Sequence, residues 1–391
     1  MIRKLSAVCA VLLASVQAAA AQDLVPRFYY RNIGIGTADG PSSSSGAQDL
    51  HRLRLMLSPD LGPVSIDAAY EHGLSISSFS SGFGVSGGLG LTSTGGEWLP
   101  LQGVIAESGH VIWSHRVDRL AATVGSDSWD ITVGRQTISY ATTLFLTPTD
   151  PFQPFDPADP FRTYRGGVDA VRFRAFPGTF TTIEGVVRVA GTAIDTTLTV
   201  LVRAMTEISG FELSAYAGAV HEEATFAVGA TFTEAGAAFR GEASLRRSEG
   251  ETVLRFAVGV DRSFGVGGRT LYVVAEYQRD GFGAAANSDL LTFLRSPPVR
   301  RGELQLFGRN EVAVNGSYQV HPLATIDLLG LVNLNDPSLL LSPAASYSAS
   351  GSITVRGGFF LGFGEEPTTP GSGSEFGAVP TSGYLSVEAF F

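Results

Sequence analysis

Apolar and polar residues alternate along most of the chain. Leu53, Leu55 and Leu57 alternate with Arg52, Arg54 and Met56. Val171, Phe173 and Ala175 alternate with Ala170, Arg172 and Arg174, and Leu254, Phe256, Val258 and Val260 with Arg255, Ala257, Gly259 and Asp261. A period of two belongs to strands with one apolar and one polar face. The pattern predicts about 18 strands (16–18), near 27–35, 49–58, 63–73, 109–124, 128–137, 167–176, 180–190, 195–205, 210–220, 223–233, 237–247, 251–262, 269–279, 303–319, 323–333, 339–348, 352–362 and 382–391. The connections alternate too. The long ones, 36–48, 74–108, 138–166, 280–302 and 363–381, are all odd-numbered, and the even-numbered ones are nearly all short. An antiparallel up-and-down barrel with short turns at one rim and long loops at the other has this alternation.

Composition sharpens the picture. The chain has 391 residues, of which 44% are hydrophobic and only 16% charged, with a mean hydropathy of +0.17. It is too apolar for a disordered chain, and its 47 Gly are too many for a helical bundle. So many amphipathic strands would leave a soluble sandwich with too little core to share. In hydrocarbon each unpaired backbone group costs several kcal/mol, so such a sheet must close. About 18 strands enclose a lumen wide enough for water, whereas eight would be filled by side chains. The net charge of −10 argues against a nucleic-acid partner. The only Lys is Lys4, so every later base is Arg.

The two ends of the chain carry further signals. Arg3 and Lys4 precede an apolar run from Leu5 to Val16, and Ala19–Ala21 follow. Residues 1–21 thus read as a secretory signal peptide cleaved near Ala21, the run being too short to span a bilayer. Residues 22–391 then form one barrel without Cys, since the single Cys is Cys9. The last residues are Tyr384-Leu385-Ser386-Val387-Glu388-Ala389-Phe390-Phe391, with Leu385, Val387, Ala389 and Phe391 on one face. Phe28, Trp129, Phe176, Phe180, Phe211, Phe232, Phe239 and Phe264 fall near the ends of predicted strands on the short-turn side. Aromatic rings favour the headgroup layer.

With its aromatic terminus, this last strand resembles the assembly signal of Gram-negative outer-membrane β-barrel proteins, and the plan of the chain resembles the porin-like type. The resemblance implies a transmembrane all-β barrel with both termini periplasmic and long loops outside. It also implies outer-membrane lipid around the barrel, the barrel-assembly machinery as a partner during insertion, and small solutes as cargo. The oligomer, monomer or trimer, is left open. The expected function is passive diffusion of small hydrophilic solutes. The alternative is a non-channel or substrate-specific barrel for polymer export, hydrophobic-substrate uptake or partner binding.

In porins the third loop often folds inward, and segment 138–166 resembles that arrangement. It holds Pro148, Pro151, Pro154, Pro157 and Pro160, which stiffen it, and Phe145, Phe152, Phe155 and Phe161, which a solvated loop does not need. Asp150, Asp156, Asp159, Arg162 and Arg165 are the candidate pore constriction. Arg52, Arg54, Arg172 and Arg174 are the candidate lumen wall, either a basic ladder or a set of wall salt bridges. Arg135 shares the parity of the lipid-facing Ile131 and Val133, so it sits near the external end or Gly134 turns it inward. Gly82-Phe83-Gly84-Val85-Ser86-Gly87 has no following helix and is not a nucleotide site. The six His form no metal-ligand cluster. No catalytic residue, cofactor or metal is expected. Ser114 with His115, or His72 with Glu71, is the hydrolase alternative.

Overall fold

A computed structural model describes residues 25–40, 44–78, 97–152, 163–192, 194–285, 290–368 and 372–391. Nineteen strands join in one sheet. They are β1 (Arg27–Thr37), β2 (Gly46–Leu57), β3 (Val64–Ser77), β4 (Gln102–Ser108), β5 (Val111–Ser126), β6 (Trp129–Gln136), β7 (Val168–Gly178), β8 (Thr181–Gly191), β9 (Thr196–Ile208), β10 (Phe211–Val220), β11 (Glu223–Glu234), β12 (Ala237–Ser248), β13 (Glu251–Val266), β14 (Arg269–Asp280), β15 (Asn310–His321), β16 (Ala324–Asn333), β17 (Ser338–Ser348), β18 (Ile353–Phe363) and β19 (Ser382–Phe390). Two short helices, α1 (Leu290–Leu294) and α2 (Pro297–Arg300), lie between β14 and β15.

Each strand except β4 pairs antiparallel with its neighbours around a ring, and β1 pairs with both β2 and β19. The ring closes with 18 strands, so the sheet has no free edge there. Phe28 and Phe391 exchange backbone hydrogen bonds of 3.0 and 2.9 Å, which places both ends of the barrel at one rim. That rim also holds the shortest turns. Ser209-Gly210 and Gly267-Gly268 both have φ between +50° and +80°, as two-residue hairpins of the right twist require. The long connections gather at the opposite rim, in the alternation expected from the sequence.

Alternation dictates facing. Leu198, Val200 and Val202 on β9, Phe226 and Val228 on β11, and Ile326 and Leu328 on β16 are exposed on the outside. Their neighbours Thr197, Thr199 and Leu201 are buried. Exposed rings at the short-turn rim, among them Trp129, Phe180, Phe211, Phe239 and Phe264, form the expected girdle. Phe211, Phe232 and Phe239 stack in a row with centroids 5.2 and 5.0 Å apart.

Two stretches differ from the alternation reading. Residues 102–108, expected within a loop, form β4, which pairs only with β5. Residues 303–309, expected as strand, belong to the connection that ends at Asn310. Their apolar members are recruited elsewhere: Leu306 packs with Leu146 in a core cluster inside the barrel.

Candidate functional site

After β6 the described residues of segment 137–167, 137–152 and 163–167, lie inside the barrel. Its backbone makes no regular ladder, so its N–H groups need other acceptors. Two wall carboxylates supply them. Glu242 on β12 accepts from Thr142 N (2.6 Å), Thr143 N (3.2 Å) and Thr149 N (3.2 Å). Glu276 on β14 accepts from Leu144 N (2.6 Å), Phe145 N (2.9 Å) and Leu146 N (2.8 Å). Gln305 adds a reciprocal pair, accepting from Thr147 N at 2.5 Å and donating to the Phe145 carbonyl at 2.9 Å. Six N–H groups thus converge on two carboxylates, and bonds to a charged acceptor are the strong kind.

Other walls hold the rest of the segment. The Tyr216 hydroxyl on β10 donates to the Thr149 carbonyl at 2.6 Å, and Arg188 on β8 donates to the Pro151 carbonyl at 3.1 Å. Tyr140 meets Phe152 edge-on at 4.8 Å, and the Arg203 guanidinium of β9 lies 4.4 Å over the Tyr140 ring. Burial pushes the Tyr140 hydroxyl well above its usual range, so it stays protonated. Farther along, Thr163 meets Tyr29 (3.1 Å) and Arg31 (2.7 Å) of β1, and Tyr164 packs under Arg54 of β2 at 4.4 Å. The segment therefore spans from β8–β14 to β1–β2.

The candidate constriction residues separate. Asp150 has a wholly buried side chain that accepts from Ser139 (2.6 Å) and pairs with Arg165 (3.1 Å). The carboxylate is thus turned into the base of the segment, and Arg165 is the partly exposed member. Asp156, Asp159 and Arg162 lie outside the described residues.

The candidate wall residues also separate. Arg54 is fully buried and pairs with Glu71 (2.5 Å) and Asp118 (2.6 Å), while Arg116 joins the same two carboxylates at 2.6 and 3.4 Å. Arg174 pairs with Asp130 through two bonds of 3.0 and 2.7 Å. Arg52 faces the lumen on the same strand as Arg54, two residues away. Arg172 and Arg203 form no ion pair among the described residues and remain partly exposed on the inner face. Between their strands lies Glu184, in register with both Arg174 and Arg203. Elsewhere the wall charges are paired, as in Arg255–Asp280 (2.7 Å) and Arg240–Asp261 (2.8 Å).

Arg135 follows the bulge reading. Gly134 has φ +121°, and a Cβ there would sit 2.2 Å from the Leu120 carbonyl. Arg135 is fully buried, gripping Asp169 with two bonds of 2.9 Å and pairing with Glu97 at 3.1 Å. It also donates to the carbonyls of Val117 and Leu99. The Asp169 carboxylate accepts from Trp98 N and Leu99 N at 2.7 and 2.8 Å. Residues 97–101 thus form a strap over the short β6–β7 pair, leading into β4. Burial raises the Glu97 carboxyl, and Arg135 opposes that shift.

A pocket with about 400 Å³ of empty space, part of it continuous with solvent, opens beside the segment. Tyr216, His221, Arg246, Arg255, Arg301 and Glu303 are among its lining. Burial and the nearby guanidiniums of Arg188, Arg246 and Arg301 push His221 down to about 3, so it is neutral. At the mouth, Arg301 grips Asp195 at 2.8 Å and holds that carboxyl below its usual range. Across the rim Glu375 accepts from Phe307 N (2.7 Å), Gly308 N (3.1 Å) and Asn333 (2.8 Å), and burial pushes its carboxyl up.

The sequence pattern places Glu242 and Glu276 on polar strand faces but does not mark them as anchors. Nothing in the local sequence marks that use, because their acceptors' partners lie 93 to 132 residues away.

No family model matches the chain, and no curated protein matches its sequence. Solved structures do match its shape. A BenF-like porin from Pseudomonas fluorescens Pf-5 superposes with TM-score 0.58 at 11% identity, over 95% of this chain and 99% of that one. Acinetobacter baumannii OccAB1 gives 0.56 at 9% over 96% and 99%. Pseudomonas aeruginosa OpdK, solved with vanillate, gives 0.55 at 10% over 95% and 100%. The chain has the 18-stranded fold of these porins.

Proposed function

We propose that the protein is a passive channel of the Gram-negative outer membrane for small hydrophilic solutes, narrowed by segment 137–167. The observation that carries this reading is the anchoring of an inward segment by six backbone N–H bonds to Glu242 and Glu276. A loop that only shields the mouth has no need of acceptors on the inner face of the wall. The fold shared with porins supports the same reading. Arg172 and Arg203, which form no ion pair among the described residues, bias the passage toward anions. Residues 1–21 direct export, the short-turn rim with both ends of the barrel faces the periplasm, and Leu385, Val387, Ala389 and Phe391 present the assembly signal.

Deletion of 146–162 tests the constriction. Single-channel conductance in planar bilayers rises several-fold, and liposome swelling admits larger sugars. An unchanged conductance in a correctly folded deletion variant overturns the reading. Amino-terminal sequencing of the membrane form, expected to begin at Gln22, checks the leader.

A further inference from the structure

The pocket beside the inward segment holds a group of buried donors that the protein itself does not satisfy. Its lining comes from the wall strands, from residues 149–152 and from the β14–β15 connection. Three of the lining side chains stand together on the inner face of β12 and β13. Ser244 and Arg246 are two residues apart on β12, and Arg255 of β13 is in register with Ser244. Arg246 and Arg255 are therefore diagonal neighbours across the two strands, roughly 7–8 Å apart. Both guanidiniums lie 5.3 Å from the centre of one ring, that of Phe282. All three residues are buried, the two arginine side chains to the point where only 3% and 6% of their surface is left.

Their partners use only part of what they can donate. Arg246 donates through Nε to Glu223 at 2.6 Å and through Nη1 to Glu303. Its Nη2 is sealed from solvent and has no hydrogen-bond partner among the described residues. Arg255 donates through Nε and Nη2 to Asp280 at 2.9 and 2.7 Å, and through Nη2 to the Glu303 carbonyl at 3.0 Å. No acceptor among the described residues meets its Nη1, and none meets the Ser244 hydroxyl. A guanidinium has five N–H donors and no acceptor, so the atoms left over can only donate. Buried donors without acceptors are costly and rarely kept. One acid oxygen on the lining, Glu303 Oε1, also lacks a hydrogen bond, but it lies 4.0 Å from Arg301 Nη1 and so faces a cation of its own.

We propose that Ser244, Arg246 and Arg255 hold a small inorganic anion of chloride size as a structural ion. The sign follows from the donors. Nη2 of Arg246, Nη1 of Arg255 and the Ser244 hydroxyl all offer hydrogen. A halide accepts from all three, whereas a water accepts from two and must then donate its own hydrogens. The size follows from the room, which is that of about one water-sized particle. An organic acid is too large for it. The ion sits where the wall, the inward segment and the β14–β15 connection meet. By fixing both guanidiniums it also fixes Glu303, whose carboxylate and carbonyl they hold, and so seats the stretch after Gly302 beside the segment. The site is separate from Arg172 and Arg203 and does not depend on the channel reading.

The test uses the whole barrel in detergent at neutral pH. Crystals grown in sodium bromide are expected to show an anomalous bromine peak between Ser244, Arg246 and Arg255. Thermal unfolding, followed by heat-modifiable mobility, is expected to shift upward by several degrees when sodium chloride replaces sodium gluconate at equal ionic strength. A ligand that binds only the folded form stabilises it, and gluconate is too large for the site. Arg246→Gln breaks two ion pairs as well as the site, so Ser244→Glu is the variant to use. It places a tethered carboxylate among the donors, and the bromine peak and the chloride shift are expected to disappear together while the folded band remains. The proposal is overturned if the parent protein shows no bromine at this position, if it unfolds at the same temperature in chloride and gluconate, or if folded Ser244→Glu keeps the full chloride shift.

Discussion

Two walls of the lumen face the same inserted segment and use charge in opposite ways. On the β12–β14 wall, Glu242 and Glu276 are buried and saturated with backbone N–H donors from 142–149. On the β7–β9 wall, Arg203 meets the segment through the face of Tyr140, Arg172 makes no hydrogen bond or ion pair with it among the described residues, and both keep part of their surface in the lumen. Glu242 and Glu276 thus hold the segment, whereas Arg172 and Arg203 keep surface in the lumen and on their wall Arg188 is the base that holds the Pro151 carbonyl. A carboxylate suits the first task because it accepts several N–H bonds from a chain that lacks its own ladder. A guanidinium suits the second because it stays charged and presents a planar fork of donors to a passing anion. The sign of a lumen charge therefore does not reveal its role; what it is bonded to does.

The strongest way to break this contrast is to remove the anchors. Each carboxylate makes three charge-assisted bonds, each worth about 1.5–3 kcal/mol. The double variant Glu242→Ala/Glu276→Ala is expected to release residues 142–149 and raise single-channel conductance several-fold, approaching the deletion of 146–162. The single Gln variants, which keep one acceptor oxygen, give intermediate values with more open-channel noise. If the double variant conducts like the parent, the acids are not the anchors.

The opposite wall is expected to respond in kind and not in size. Arg172→Gln/Arg203→Gln leaves conductance within about twofold, because no anchor is lost, and shifts reversal potentials in a salt gradient toward cations. A large rise in conductance would assign these bases to architecture and erase the contrast.

Much of this was legible in the sequence and some was not, for one physical reason. Strand positions follow from a period-two pattern that each strand carries by itself, so the ring, its short-turn rim and the Phe211–Phe232–Phe239 girdle could be read directly. The inward course of the described residues 138–152 also had a sequence signal, because Phe145 and Phe152 are wrong for a solvated loop. Pairing was not. Asp150, expected to face the channel, is turned under Arg165, and Arg54, read as part of either a basic ladder or a set of wall salt bridges, is paired with Glu71 and with Asp118 of β5. These partners are set by register between strands far apart in sequence. Strand β4 was missed for the same reason: 102–108 is held by β5 and follows the Arg135–Asp169 strap, not an alternation of its own.

Arg135 offers a control outside the two walls. Removing one partner of a buried ion pair costs about 3–5 kcal/mol, since it strands the other charge. Arg135→Leu strands Asp169 and Glu97 and is expected to lower the urea midpoint of unfolding while leaving ion selectivity alone. A selectivity change would mean that the strap also shapes the lumen.

The smallest effect sharpens the contrast at the pocket beside the anchored wall. His221 is held near 3, against an ordinary value of about 6.5. A lowered folded-state value means that the closed form binds fewer protons than an opened one. Its contribution is therefore complete above about pH 6.5 and declines as the pH falls toward 3. Amide exchange at 219–223 is expected to quicken as the pH drops from 7 to 4, after correction for the intrinsic rate. His221→Gln removes that dependence. The charge at Arg172 and Arg203 does not change over this range, so anion preference stays constant while the pocket loosens. Selectivity that tracks the His221 titration would show that the two walls are not independent.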